Sequence, residues 1–366
     1  MSGAVNMLLR CAHAQPGEHV LIAYEPASYG YFDDDVHHDV ATTARDLGLT
    51  VETMDVGFTP FANALPDPLK ARMEQADIVI FLARLGDQLR FSEMPKDKRI
   101  VVSFALNRAL LNAPFCTTQH DAMLHLKDCV TEALMRADDI HVTCPRGTDL
   151  RGTPAMPDTT SGDTSILRFP MSVFKPVPGA QFSGRAAICG FLTGTGAHYY
   201  DGYTVEFDGP VLAVMECGRL IGFEGSPRDV ATAHAQYDRV ANLFGIDRNC
   251  VHSWHAGIHP ACAFTQDARQ DYERWSGLAF GNPRILHFHT CGDYAPGEIS
   301  INVLDPTIRF DGVPVWQDGT FHPARLKGGQ EILDTYPSVA RIFAHPDRRV
   351  GLDWLDARTA PLQTAR

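Results

Sequence analysis

The chain has 366 residues, 45% of them hydrophobic and 21% charged, values that exclude a fibrous or disordered protein and at this length favour two domains. Its formal net charge of -12 repels polyanions, and no stripe of Lys and Arg offsets it, so a nucleic-acid partner is excluded. Met1–Arg10 has no basic start or long apolar run, no stretch reaches the length of a membrane span, and nine scattered cysteines without a CxxC pair build no disulfide framework; a soluble cytoplasmic protein with reduced thiols is expected.

From the N-terminus, His19–Tyr24 (HVLIAY) is a short apolar run after Pro16 and Gly17, suited to a buried parallel strand. A helix is expected from about Asp35 to Leu47, with the acidic run Asp33, Asp34 and Asp35 at its start and Gly48 at its end. Strands are predicted at Leu49–Met54, Asp77–Ala83 and Arg99–Phe104, then a helix through Leu124–Met135 and a strand at Asp139–Thr143. Strands alternating with helices predict an α/β domain over 1–150 with a mostly parallel open sheet. Residues 151–184, rich in Pro, Thr, Ser and Gly, read as a crossover. From Ile188 onward, short strands alternate with the dipeptides Asp201-Gly202, Asp208-Gly209, Asp311-Gly312 and Asp318-Gly319, and one helix runs from about Pro227 to Phe244. This half, 185–366, is expected to be an α+β domain with a largely antiparallel sheet.

Histidine carries the chemical signal. Of 16, His252, His255 and His259 fall in Cys250–Pro260 (CVHSWHAGIHP), and His287 and His289 in Ile285–Asp293 (ILHFHTCGD). The second pair has period 2, so on a strand both rings face one side. Glu298 follows in Gly297–Val303 (GEISINV), on what reads as the next strand. Imidazole with carboxylate suits zinc, iron, nickel or copper, and two His with one carboxylate is the set of many non-haem iron oxygenases. His13, His19, His37, His38, His120, His125 and His141 are unclustered and read as surface or core residues, and His322 stands alone. Gly190–Gly196 (GFLTGTG) reads as a Gly-rich turn between strands, since no long helix follows it. No cysteine lies in a motif that marks a nucleophile.

The order of features resembles the M29 aminopeptidase (aminopeptidase T-like) superfamily, including its 2,5-dihydroxypyridine 5,6-dioxygenase branch. Thr143–Leu150 (TCPRGTDL) is similar to the family's strand and GTDL turn; Thr204–Gly209 (TVEFDG), Gly218–Ile221, Thr307–Gly312 (TIRFDG) and Val315–Gly319 fall in the family's order. Trp254–Pro260 stands where the peptidases carry a metal-binding Glu and the dioxygenases a metal-binding His, which the resemblance places on His255. It likewise places His287 on the ligand of Leu286–Asp293. Two departures follow. The family's H-x-D becomes Glu298-x-Ser300, and the carboxylate ligand expected near Thr193–Ala197 is missing.

The resemblance therefore implies one ion, Fe(II) with Zn(II) as the alternative, held by His255, His287 and Glu298. His289 is expected as a spare ligand or a donor behind the ligands, His252, His259 and His289 as residues that move protons, and Ser300 as a hydrogen-bond partner of the substrate or of the ligating carboxylate. The implied activity is ring cleavage of a small aromatic or heteroaromatic compound by a mononuclear dioxygenase-like enzyme, working as a homo-oligomer. The alternatives are a metal-dependent aminopeptidase-like hydrolase and a binding protein that has kept the scaffold without catalysis.

Overall fold

Strand β1 (His19–Tyr24) is an inner strand of a five-stranded sheet, its apolar run buried on both faces. The computed structural model describes residues 1–90, 92–154, 166–194, 200–292 and 298–355, except for the side chains of Asp34 and Asp35. The chain divides into two units, Met1–His125 with Asp163–Met171, and Leu126–Gly162 with Ser172–Arg366.

In the first unit β1 pairs in parallel with β2 (Thr50–Asp55) on one side and β3 (Ile78–Leu82) on the other. Beyond β3 lies β4 (Arg99–Ser103), also parallel. The next two strands along the chain, β5 (Ile140–Thr143) and β6 (Asp149–Gly152), belong to the other unit. The fifth parallel strand is β7 (Ile166–Phe169), giving the order β2-β1-β3-β4-β7. The expected helix occupies Asp34–Asp46 with Gly48 beyond it at φ 80°, a left-handed position that glycine takes without strain. At the end of β1 the fully buried Glu25 carboxylate pairs with the Arg84 guanidinium, as a buried charge requires.

Two expectations change here. The strand expected at 139–143 falls outside the parallel sheet: β5 is antiparallel to its neighbours. Its burial alternates residue by residue along IHVT, the mark of a strand with one wet face, whereas the four inner residues of β1 and all of β3 are apolar and buried. Strand β7 lies inside the stretch read as crossover. It is only four residues long, and its Arg168 reaches Asp87 at 3.5 Å and the Phe104 ring at 5.2 Å, so the run does not look apolar.

The second unit holds two sheets. One contains β8 (Val177–Pro178), β10 (Phe191–Gly194), β11 (Val205–Glu206), β14 (Val251–Ala256), β15 (Ile285–Thr290) and β16 (Ile299–Leu304). Their order is β11-β10-β16-β15-β14-β8, with antiparallel pairing throughout. The other places β9 (Phe182–Ile188), β12 (Val211–Glu216), β13 (Arg219–Glu224), β17 (Thr307–Phe310), β18 (Val313–Gln317) and β19 (Thr320–Phe321) with β5 and β6. Its order is β13-β12-β9-β6-β5-β17-β18-β19. The helix Pro227–Phe244 begins at Ser226, whose hydroxyl accepts from the Asp229 amide, and ends at Gly245.

Of the four Asp-Gly dipeptides, Asp311-Gly312 and Asp318-Gly319 close hairpins, with positive φ at both residues. Cys217-Gly218 does the same between β12 and β13. Gly190, at φ 88°, turns β9 into β10 as a Gly-rich turn should, while Thr195 and Gly196 of the same motif lie outside the described residues. All nine cysteines are free thiols. Among the described residues no helix is long and apolar enough to cross a membrane.

Candidate metal centre

The second unit's six-stranded sheet brings three histidines together by register alone. His255 on β14 lies directly opposite His287 on β15, and His287 lies opposite Asn302 on β16. One step along, Ser253, His289, Ser300 and Thr193 form a second row across β14, β15, β16 and β10. Residues directly opposite one another share a face, and so do residues two apart on one strand. The sequence builds this polar face by alternation: ISIN on β16 puts Ser300 and Asn302 on it and Ile299 and Ile301 on the other. The same period puts Trp254 and Phe288 behind the histidines, where Trp254 packs edge-on against Phe182 of the neighbouring sheet.

Nε2 of His255 is 2.7 Å from Nε2 of His287 and 3.3 Å from Nε2 of His289. One ring nitrogen from each of the three lies within 4.8 Å of the others. Two nitrogens at about 2.1 Å from one ion, at tetrahedral or octahedral angles, are about 2.9–3.4 Å apart; the 3.3 Å spacing falls in that range and the 2.7 Å spacing just below it.

Tautomers are set from behind. Nδ1 of His255 is 2.9 Å from the Phe174 carbonyl oxygen; a carbonyl only accepts, so Nδ1 carries the hydrogen and Nε2 presents a lone pair. Nδ1 of His289 faces Oε1 of Glu298 at 3.3 Å, and a carboxylate acceptor there leaves Nε2 of His289 with its lone pair as well. Phe280 stacks on the His287 ring, with centroids 3.9 Å apart and planes 18° from parallel. His255 and His287 are buried and His289 is half-buried. These are imidazoles converging on one point, a donor set that fits a borderline divalent ion.

The residues singled out from the sequence separate into two groups. His255, His287 and His289 converge, and Glu298, with its side chain 3% exposed, stands behind His289. Ser300 is opposite His289, and its Oγ donates to Asn302 Oδ1 at 2.8 Å. His252 and His259 stay apart. His252 is the extra residue of a bulge between Val251 and Ser253, hydrogen-bonded through Nδ1 to the Ser253 hydroxyl. His259 lies beyond β14, fully buried, its Nδ1 accepting from the Ala261 amide at 3.2 Å. Burial pushes its pKa down to about 3, too low to carry protons near neutrality, against the role expected from the sequence. Asn302, Phe280 and the Phe174 carbonyl were not singled out. The alternation in ISIN was a signal for Asn302; the other two reach the site from distant segments.

The burial of His259 has a consequence for folding. Its folded-state pKa lies below the unfolded value, so its contribution is fully present above pH 6.5 and is lost as the pH falls toward 3. The slope from this group alone approaches about 1.4 kcal/mol per pH unit. Thermal melts between pH 7 and 4 are expected to show a shallower acid loss for His259→Asn than for the natural chain; parallel slopes would contradict this.

No protein-family model matches the sequence, and no curated protein is similar enough to match it. Solved structures do. A 2,5-dihydroxypyridine dioxygenase from Pseudomonas putida KT2440 superposes with a TM-score of 0.57 at 13% identity, covering 87% of this chain and 96% of that one. AmpT from Thermus thermophilus follows with a TM-score of 0.48 at 12% identity, over 87% of this chain and 98% of that one. The first likeness is one of fold, along nearly the whole length of both proteins.

Proposed function

We propose that the chain is a mononuclear metal enzyme in which His255, His287 and His289 are the protein ligands and Glu298 orients His289. Its substrate class is a small oxygenated aromatic or heteroaromatic compound, and its reaction is dioxygenase-like ring cleavage with Fe(II). The observation that carries this reading is the convergence of three imidazole nitrogens whose tautomers are set from behind. In this reading His289 takes the ligand position expected for Glu298, and the carboxylate acts through the ring. The fold likeness to a protein described as a 2,5-dihydroxypyridine dioxygenase supports the choice of reaction.

Fe(II) held by three imidazoles supplies open coordination positions and one-electron chemistry with O2. The chain's own part is positional. The Phe174 carbonyl and the Glu298 carboxylate fix two rings by their Nδ1 hydrogens, and Phe280 holds the third ring by stacking. Ser300 and Asn302 add polar atoms beside the ligands on an otherwise buried sheet face. Oxygen uptake by Fe(II)-loaded protein supplied with 2,5-dihydroxypyridine is the direct test; no uptake by protein that holds iron removes the dioxygenase reading.

A second reading, zinc-dependent hydrolysis, is favoured by one observation. The converging group contains three imidazoles and no carboxylate, a ligand set of catalytic zinc that lowers the pKa of bound water. Cleavage of an amino-acid anilide by zinc-loaded protein, abolished by a chelator, would select it.

Glu298→Gln tests the orienting role. Loss of such an outer carboxylate weakens metal binding by about 10–100-fold, so the variant is expected to bind Co(II) that much more weakly by chelator competition. Unchanged affinity would remove Glu298 from the site, and complete loss of metal would make it a ligand.

A further inference from the structure

Asn302 is fully buried on β16, directly opposite His287 and therefore on the face of the sheet that carries the histidines. Its Oδ1 is occupied by the Ser300 hydroxyl at 2.8 Å, whereas its Nδ2 meets no hydrogen-bond partner among the described residues. Such an amide group is costly. A buried donor left unmade forfeits its hydration, about 1–3 kcal/mol, and native proteins leave few of them. With the Ser300 hydroxyl on the amide oxygen, Nδ2 is the group left over, and the side chain offers an N–H donor beside the proposed metal ligands.

Among the described residues nothing takes up this donor. The ring opposite, His287, already has its Nε2 turned to His255. What an amide N–H beside a cluster of imidazoles can accept is an oxygen atom that arrives with a ligand. An anionic oxygen gains most, since hydrogen bonds to charged groups are about twice as strong as neutral ones.

We infer that Asn302 is a substrate-binding residue, its Nδ2–H holding a phenolate or ring-carbonyl oxygen of the compound bound at the three-histidine centre. This rests on the metal reading above and adds to it a substrate feature: a second ring oxygen besides the one at the ion, carrying negative charge or carbonyl character. Ser300 is the positioning residue for the amide.

The test uses the full chain loaded with Co(II), which takes the same donor set, and 4-nitrocatechol as a coloured ligand with two ring oxygens. Nitrocatechol affinity is read by absorption titration and Co(II) affinity by chelator competition. Asn302→Ala is expected to weaken nitrocatechol about tenfold or more, as loss of a hydrogen bond to a charged oxygen does, with Co(II) affinity within about twofold of the natural chain. Asn302→Asp keeps the shape and the acceptor for Ser300 but replaces N–H by an oxygen; it is expected to weaken nitrocatechol at least as much while still holding Co(II), and it decides the matter if the alanine variant does not fold. Natural nitrocatechol affinity in a variant that holds Co(II) overturns this inference alone. Loss of Co(II) from both variants overturns it as well, because Asn302 then supports the metal. A natural chain that takes up no Co(II) overturns the three-histidine reading and this inference together.

Discussion

Replacing His255 by Ala abolishes stoichiometric metal binding and, with it, turnover. His255 is the centre of the cluster, since its Nε2 faces those of both His287 and His289, at 2.7 and 3.3 Å. Without it two imidazoles remain, too few to hold an ion against buffer and chelator. Removing a carboxylate that merely orients a ligand already costs about 10–100-fold in affinity; removing the central ligand is expected to cost more than about 100-fold. The fold should survive, because the ring lies on the polar face of β14 while the neighbouring Trp254 packs the other. Circular dichroism and metal analysis on the same sample check both halves of the statement. The outcome also separates an enzyme from a binding protein on the same scaffold. A binding protein with no use for metal keeps its ligand affinity in His255→Ala, whereas an enzyme of either kind proposed above loses metal and activity together.

Trp316→Ala is expected to have the largest effect on folding. Trp316 is fully buried on β18, stacked on Phe321 with centroids 4.5 Å apart and 5.5 Å from Phe174. Its Nε1 donates to the Gly257 carbonyl at 2.9 Å. Gly257 follows β14 immediately, and Phe174 supplies the carbonyl that orients His255, so this indole supports the back of the metal centre. Large-to-small replacement of a buried Trp costs about 3–5 kcal/mol, read as a lower midpoint in urea with the slope unchanged. Trp316→Phe keeps most of the ring and gives up the hydrogen bond, for a loss of about 1 kcal/mol beyond that of the reduced volume. A midpoint for Trp316→Ala within about 1 kcal/mol of the natural chain would contradict the packing described.

The class of fold was legible because period is legible. The runs HVLIAY and DIVIFLA announce strands buried on both faces, and the helices between them follow from capping and spacing. Strand β5 was misassigned because four residues that alternate in burial carry no label saying which sheet they join. Strand β7 was missed because an arginine sits in its middle. At the site, the period-2 pair of His287 and His289 was readable, and so was the place of His255 in a cluster of three histidines.

The place of Glu298 behind His289 was not readable. Whether a carboxylate meets an ion or the back of an imidazole depends on side-chain reach within one cluster, which spacing does not encode. Nor did letters alone separate His289, which converges, from His252 and His259, which do not. A bulge turns His252 out of the row, and burial beyond β14 takes His259 elsewhere.

Elemental analysis of the purified chain after anaerobic loading with Fe(II) and removal of loose metal bears most directly on the central claim. Three converging imidazoles are expected to retain about one equivalent of iron per chain, and His255→Ala to retain almost none. Retention of roughly a tenth of an equivalent or less by the natural chain, with zinc and Co(II) equally absent after the same treatment, would contradict a metal centre built from His255, His287 and His289.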